Sequence, residues 1–259
     1  MLSKPIASSR MIYGDVSEPL QSIYESSVTQ NYMLGTKFEA NDGRVFRYSK
    51  AGGTALVQAY MTQTAVKDSK FVEIAQTGHA QAVGYKQISV LCTTGSAAGE
   101  NDFSGGWLVC NKVSPAVLGD IYHIAASKLQ STDTILDLEL TTPWRTAMLA
   151  TGEISLNYSR FFKTVVLPAT TATAQPAGVP LCAVPIGYYY WSQVKGPAPV
   201  VKDAGDTLVI GAYAGVPATD AAAGTCGNAT ATAYAFPVYG RVMSLGDDSE
   251  PALIDLCLE

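Results

Sequence analysis

The chain has 259 residues, 47% of them apolar and only 15% charged, against a usual charged share of ~25%. That composition excludes intrinsic disorder, and the length suffices for one large β domain or two small ones. Seventeen Lys and Arg against 22 Asp and Glu leave a net charge of −5, without the basic stripe that a phosphate backbone requires, so nucleic acid is not an expected partner.

Residues 1–33 are polar and serine-rich and predict an extended N-terminal arm that orders against a partner or the protein's own surface, with Tyr13, Tyr24 and Tyr32 as candidate contact residues. Inside it, residues 18–26 follow a capping Ser17 and carry Pro19 in the first turn, which predicts a short helix. A β domain is expected over 34–167. It opens with a hairpin at 37–48, where Asp42-Gly43 supplies the positive φ of a tight turn. Strands follow at 71–74, 87–92, 107–111 and 121–124. Over 134–140, Leu136, Leu138 and Leu140 fall on one face and Asp137 and Glu139 on the other. Residues 143–150, after Thr142, predict a second short helix, and 163–167 another strand. The Pro-, Ala- and Thr-rich stretch 168–180 reads as a linker or long loop before a second β subdomain at 181–259. Its strands are expected at 188–194, 207–210, 239–243 and 253–258. The fold class is therefore all-β: β-barrel or β-sandwich domains with an extended N-terminal arm and only short helices.

No apolar run approaches the ~20 residues of a membrane span, so no membrane partner is expected. The first ten residues lack the apolar middle of a secretory signal, which points to synthesis in a cytoplasm. Cys92, Cys110, Cys182, Cys226 and Cys257 are odd in number and contain no C-x-x-C, which fits reduced thiols better than disulfides or zinc.

Candidates for chemistry are few. His79 and His123 are the two imidazoles, one in a loop and one in a strand, and neither carries a nucleophile motif. Gly95-Ser96-Ala97-Ala98-Gly99 does not centre its serine as a nucleophile elbow does. Asp137 and Glu139 have a spacing that paired carboxylates use on glycosides, and it is also the spacing of any solvated strand face. Asp247-Asp248-Ser249-Glu250 offers oxygen ligands to a calcium ion, or forms a solvated turn. Sequons at Asn157 and Asn228 lack a secretory route. No catalytic residue, cofactor or metal ligand is expected. The run Tyr188-Tyr189-Tyr190-Trp191 places alternate rings on opposite faces: core packing, a subunit contact and carbohydrate stacking are all open, and Tyr188, Tyr190 and Trp191 join the candidate contact residues.

The stretch Gly35-Thr36-Lys37-Phe38 through Asp42-Gly43-Arg44-Val45-Phe46-Arg47-Tyr48 to Ala51-Gly52 resembles virion structural proteins of tailed bacteriophages. Gly106-Trp107-Leu108-Val109-Cys110-Asn111 continues the likeness. Tyr189-Tyr190-Trp191-Ser192-Gln193-Val194-Lys195-Gly196-Pro197-Ala198 is similar to a strand and turn of phage head decoration proteins, and Ala252-Leu253-Ile254-Asp255-Leu256 to their closing strand. The resemblance implies a non-enzymatic capsid decoration, or cement, protein on the outer surface of a head. It would be a homo-oligomer, favoured as a homotrimer, bound to the major capsid protein and made in the bacterial host cytoplasm. A tail, baseplate or fibre component and a carbohydrate-binding adhesive module are the alternatives.

Overall fold

The structure is a computed structural model and describes residues 12–14, 20–93, 98–112, 119–129, 134–149, 151–169, 172–217, 222–229 and 238–259. Strands make up 44% of it and no helix reaches seven residues, so the all-β expectation holds. The first strands are β1 (Ile12–Gly14), β2 (Lys37–Ala40), β3 (Val45–Lys50) and β4 (Thr62–Gln63). Next come β5 (Ile74–Ala75), β6 (Gln87–Leu91), β7 (Trp107–Lys112), β8 (Ile121–Leu129), β9 (Ile135–Leu140) and β10 (Glu153–Asn157). The remainder are β11 (Val165–Val166), β12 (Pro176–Pro180), β13 (Tyr189–Val201), β14 (Tyr213–Gly215), β15 (Gly227–Asn228), β16 (Val238–Ser244) and β17 (Pro251–Cys257).

The described residues divide into two compact units, one of 67–159 and one of 12–66 with 160–259. One sheet is a half-barrel and the other a nearly closed barrel. The boundaries thus lie elsewhere than the expected break at 168–180. That stretch belongs to the second unit, where β12 pairs with both β13 and β4. A run rich in Pro, Ala and Thr looks like a linker only until its main chain finds long-range partners.

The unit of 67–159 is one sheet in the order β5-β10-β7-β8-β9-β6. Leu136, Leu138 and Leu140 are buried beside Leu108, Tyr122, Ile124, Ile154 and Leu156, as the alternation predicts. The two ends of this sheet are joined by a side chain. Gln76, fully buried just after β5, accepts the Leu91 N–H of β6 through Oε1 at 2.8 Å and donates Nε2 to the Leu91 and Ile74 carbonyls, each at 3.2 Å. An amide has one acceptor and two donors, so it substitutes for a missing stretch of strand main chain. Where 143–150 was expected to be helical, the described part is irregular, with an isolated β-bridge at Met148. Met148 exchanges main-chain bonds with Gln81, and Trp144 stacks on Tyr122 at 4.3 Å, contacts worth more than a weak local helix preference.

In the second unit the main path is β1-β2-β3-β13-β17-β16-β14-β15, with β12, β4 and β11 off it. The predicted hairpin is β2 and β3, with Gly43 at φ +85° and Phe38 stacked on Phe46 at 5.9 Å. Gly240 of β16 lies against the Asp255 carbonyl of β17, where an added Cβ would sit 1.9 Å from the oxygen, so only glycine allows this pairing. Residues 207–210, expected as a strand, form the approach to a turn instead. The only helical turn among the described residues is Ser69–Phe71 in the other unit, capped by the Asp68 carboxylate on the Lys70 N–H.

Candidate interaction surface

The expected arm is described at 12–14 and from residue 20 onward, and from residue 20 it is anchored to the core through the buried Gln21, Ile23 and Tyr32. Gln21 is again a buried amide in place of main chain. Its Nε2 donates to the carbonyls of Glu25 at 3.0 Å and Tyr189 at 2.9 Å, and its Oε1 accepts from Tyr48 Oη at 2.7 Å and Asn31 Nδ2 at 3.1 Å. Trp191 Nε1 donates to the Gln21 carbonyl at 2.8 Å, and Ser27 bridges to Tyr189. This bracing also explains why 20–26 is not the short helix expected there. Tyr32 packs on Tyr48 and Trp191 with centroids 5.3 and 5.2 Å away, while its hydroxyl accepts the Leu20 N–H at 2.7 Å. The remaining arm residues of the expectation, 1–11 and 15–19, lie outside the described residues.

The candidate contact residues therefore separate. Tyr32, Tyr190 and Trp191 are core residues, which corrects their reading as contact groups. The physical reason is that residues 190–194 are buried one after another. β13 is flanked by β3, β12 and β17 and covered on both sides, so the period-2 rule leaves no outward ring. Tyr190 Oη and Thr164 Oγ1 share a hydrogen bond at 2.9 Å. Tyr188 is half-buried, and Tyr24 is 53% exposed. Tyr13 lies in β1, its backbone opposite Glu39. Tyr188 and Tyr189 are the partly exposed rings of the 188–191 run.

What the second unit does present is apolar. Leu20, Tyr24 and Val28 are exposed along the braced segment, 85, 53 and 70% respectively. Burial lowers the Arg44 guanidinium, but hydrogen bonds to Asp42 and Tyr24 outweigh that and raise it, which holds the cation at this edge. A second patch lies where β14 meets β16. Arg241 stacks over the Tyr213 ring at 4.3 Å, donates Nη2 to Tyr213 Oη at 2.9 Å and donates Nη1 to the Gly211 carbonyl at 3.0 Å. Val209, Ile210 and Met243 are exposed around it. Independently, the unit of 67–159 exposes Trp107 and Ile121 on the paired strands β7 and β8, with His123 edge-on to the indole at 4.9 Å. None of Arg241, Tyr213 or Trp107 was singled out as a contact from the sequence. Trp107 was readable, because burying Leu108 and Cys110 turns it outward. Arg241 and Tyr213 were not, since only their register brings together residues 28 apart.

The remaining chemical candidates have ordinary settings. Burial holds the His123 imidazole below its usual range, partly opposed by a backbone hydrogen bond at Gly105. Asp137 accepts from Ser89 Oγ at 2.6 Å across β6 and β9. Asp248 is ion-paired with Lys202, whose carboxylate partner thereby sits in the acidic turn. Among the described residues no three His, Cys, Asp or Glu side chains are grouped to hold a metal ion. All five thiols are free, and burial pushes Cys92, Cys110 and Cys226 up to about 12. No helix of the described residues is long and apolar enough to cross a membrane. Compared with known proteins, the chain matches no protein family, no curated protein and no solved structure.

Proposed function

We propose that this chain is a structural virion protein: a decoration protein that binds the outside of a tailed-phage head as a homo-oligomer, favoured as a trimer, and reinforces it by bridging copies of the major capsid protein. The observation that carries the reading is the Arg241–Tyr213 patch with its exposed Val209, Ile210 and Met243. Tyr, Arg and Met are enriched where protein surfaces meet, and a guanidinium already fixed by a ring and two hydrogen bonds has little freedom left to lose on docking. The likeness of segments 35–52, 106–111 and 189–198 to phage virion proteins points the same way. On this reading the two β units are rigid frames, and the patch is the contact with the shell. The protein is made in the bacterial cytoplasm and resides on the capsid surface.

The test is binding of purified protein to phage heads that lack it, read as occupancy by electron cryo-microscopy and as affinity by sedimentation. Wild-type protein is expected to saturate the shell, and Tyr213→Ala to bind about 30-fold more weakly, the fold-change of a ~2 kcal/mol hot spot. Wild-type protein that leaves heads bare overturns the function; equal binding by Tyr213→Ala overturns the patch as its contact.

A further inference from the structure

We propose that the outer face of the 67–159 sheet is a binding site for a neutral glycan: a sugar ring stacks on Trp107 while Asn157, His123 and Thr141 hydrogen-bond its hydroxyls. The site goes beyond the proposed function and lies within one unit.

Strand register builds it. Leu108, Tyr122, Ile124, Leu140 and Leu156 are buried in the core, so their odd-numbered neighbours point to the opposite face. Trp107 pairs with Asn157 of β10 on one side and with His123 of β8 on the other. The Thr141 N–H donates to the His123 carbonyl at 3.0 Å, which brings Thr141, just past the end of β9, level with them. Four neighbouring segments thus present an amide, an indole, an imidazole and a hydroxyl in one row, about 14 Å long at the usual strand spacing.

Each member keeps bonding capacity. His123 braces the Trp107 ring edge-on at 4.9 Å and leaves it 44% exposed. Asn157 Nδ2 donates to the Trp107 carbonyl at 3.4 Å, which leaves Oδ1 to accept. Thr141 Oγ1 donates to the His123 carbonyl at 3.4 Å and retains its lone pairs. Burial holds the His123 imidazole below its usual range, so near pH 7 it is neutral and can accept as well as donate.

This chemistry selects the occupant. A pyranose offers a C–H face to an aromatic ring and a rim of hydroxyls to neutral donors and acceptors. The same sheet face continues across β9 and β6 with Asp137, Glu139, Ser89 and Gln87, whose two carboxylates repel an anionic ligand and tolerate an uncharged one. The larger apolar neighbours of Trp107 on β7 and β8 are Val109 and Ile121, a patch far smaller than the ~800 Å² per partner of a stable protein contact. A small polar ligand fits that surface better than a protein does.

Fluorescence reads the site directly, because Trp107 is exposed whereas the other two indoles, Trp144 and Trp191, are buried. The full-length protein is titrated with neutral oligosaccharides of glucose, galactose, mannose and N-acetylglucosamine, and with a sulfated oligosaccharide for comparison. At least one neutral series is expected to shift the emission to the blue, saturably, and to shield it from iodide. By calorimetry, Trp107→Ala is expected to bind that series at least tenfold more weakly, a loss of ~1.4 kcal/mol or more. No response to any neutral series, binding of the sulfated one alone, or equal binding by Trp107→Ala overturns the site. Should Trp107→Ala not fold, the exposed Thr141→Ala carries the test: at least threefold weaker binding is expected, and an unchanged affinity overturns the site. Phage heads play no part in the measurement, so its failure and the failure of the decoration role are told apart.

Discussion

Replacing Gln76 tests whether a single amide closes the sheet of the 67–159 unit. In Gln76→Ala the Leu91 N–H and C=O each lose a partner at 2.8 and 3.2 Å, and the Ile74 carbonyl loses one at 3.2 Å. A polar main-chain group left unsatisfied costs about 1–3 kcal/mol when buried; Leu91 is only half-buried, so water recovers part of this and a total of about 2–4 kcal/mol is expected. Gln76→Glu separates hydrogen bonding from volume. At pH 7 its carboxylate accepts from Leu91 but faces two carbonyls without a proton, whereas at pH 4 the acid form returns one donor. Its folded pKa lies above the unfolded one, so stability is present at low pH and lost as pH rises. Urea unfolding followed by Trp107 and Trp144 fluorescence and by circular dichroism reads both variants. A loss under about 0.5 kcal/mol for Gln76→Ala, or equal stability of Gln76→Glu at pH 4 and 7, refutes the closure.

Other consequences follow from burial. His123 has a depressed folded pKa, so the unfolded chain binds the extra proton and stability declines as pH falls below ~6.5; His123→Gln is expected to flatten that part of the urea-midpoint profile, and an unaltered profile would contradict the burial. Cys257 is the exposed thiol, so a disulfide reagent at pH 8 is expected to titrate one thiol rapidly in the native protein and five in denaturant; rapid native reaction of Cys92, Cys110 or Cys226 would show their settings to be open. Trp191→Ala removes the ring that holds Gln21, Tyr32 and Tyr48, and is expected to cost about 3–5 kcal/mol and to expose the 20–36 segment to protease; a cost near zero would free that segment from the core. Tyr239 Oη is buried without a hydrogen-bond partner among the described residues, so Tyr239→Phe is expected to be neutral or stabilising by up to about 1 kcal/mol, and a clear loss would reveal a partner.

The fold was legible where a pattern was local. Leu136, Leu138 and Leu140 against Asp137 and Glu139 announce β9 with one wet face, and Asp42-Gly43 announces the β2–β3 turn. It was illegible where polar residues act as core. Gln21, Gln76 and Asn31 carry no pattern that marks them as core, yet the buried amides of Gln21 and Gln76 complete main-chain bonding that strands leave open. The division at 66/67 and 159/160 carries no proline or glycine signal. The tempting stretch at 168–180 instead holds β12, whose partners are fixed by Thr62, Gln63, Ser192 and Gln193 far along the chain. Tyr190 and Trp191 turned out buried for a related reason: an aromatic run shows strand, but whether one face is wet depends on which strands flank β13. Tyr24 kept its exposure because its neighbours Gln21 and Ile23 supply the anchors.

The most direct test of the account is the copy number of this protein in purified phage particles relative to the major capsid protein, by quantitative mass spectrometry. The account predicts hundreds of copies, near parity with the shell subunit. A few to a few dozen copies would place it at the tail or portal instead, and its absence from the particle would contradict the structural role altogether.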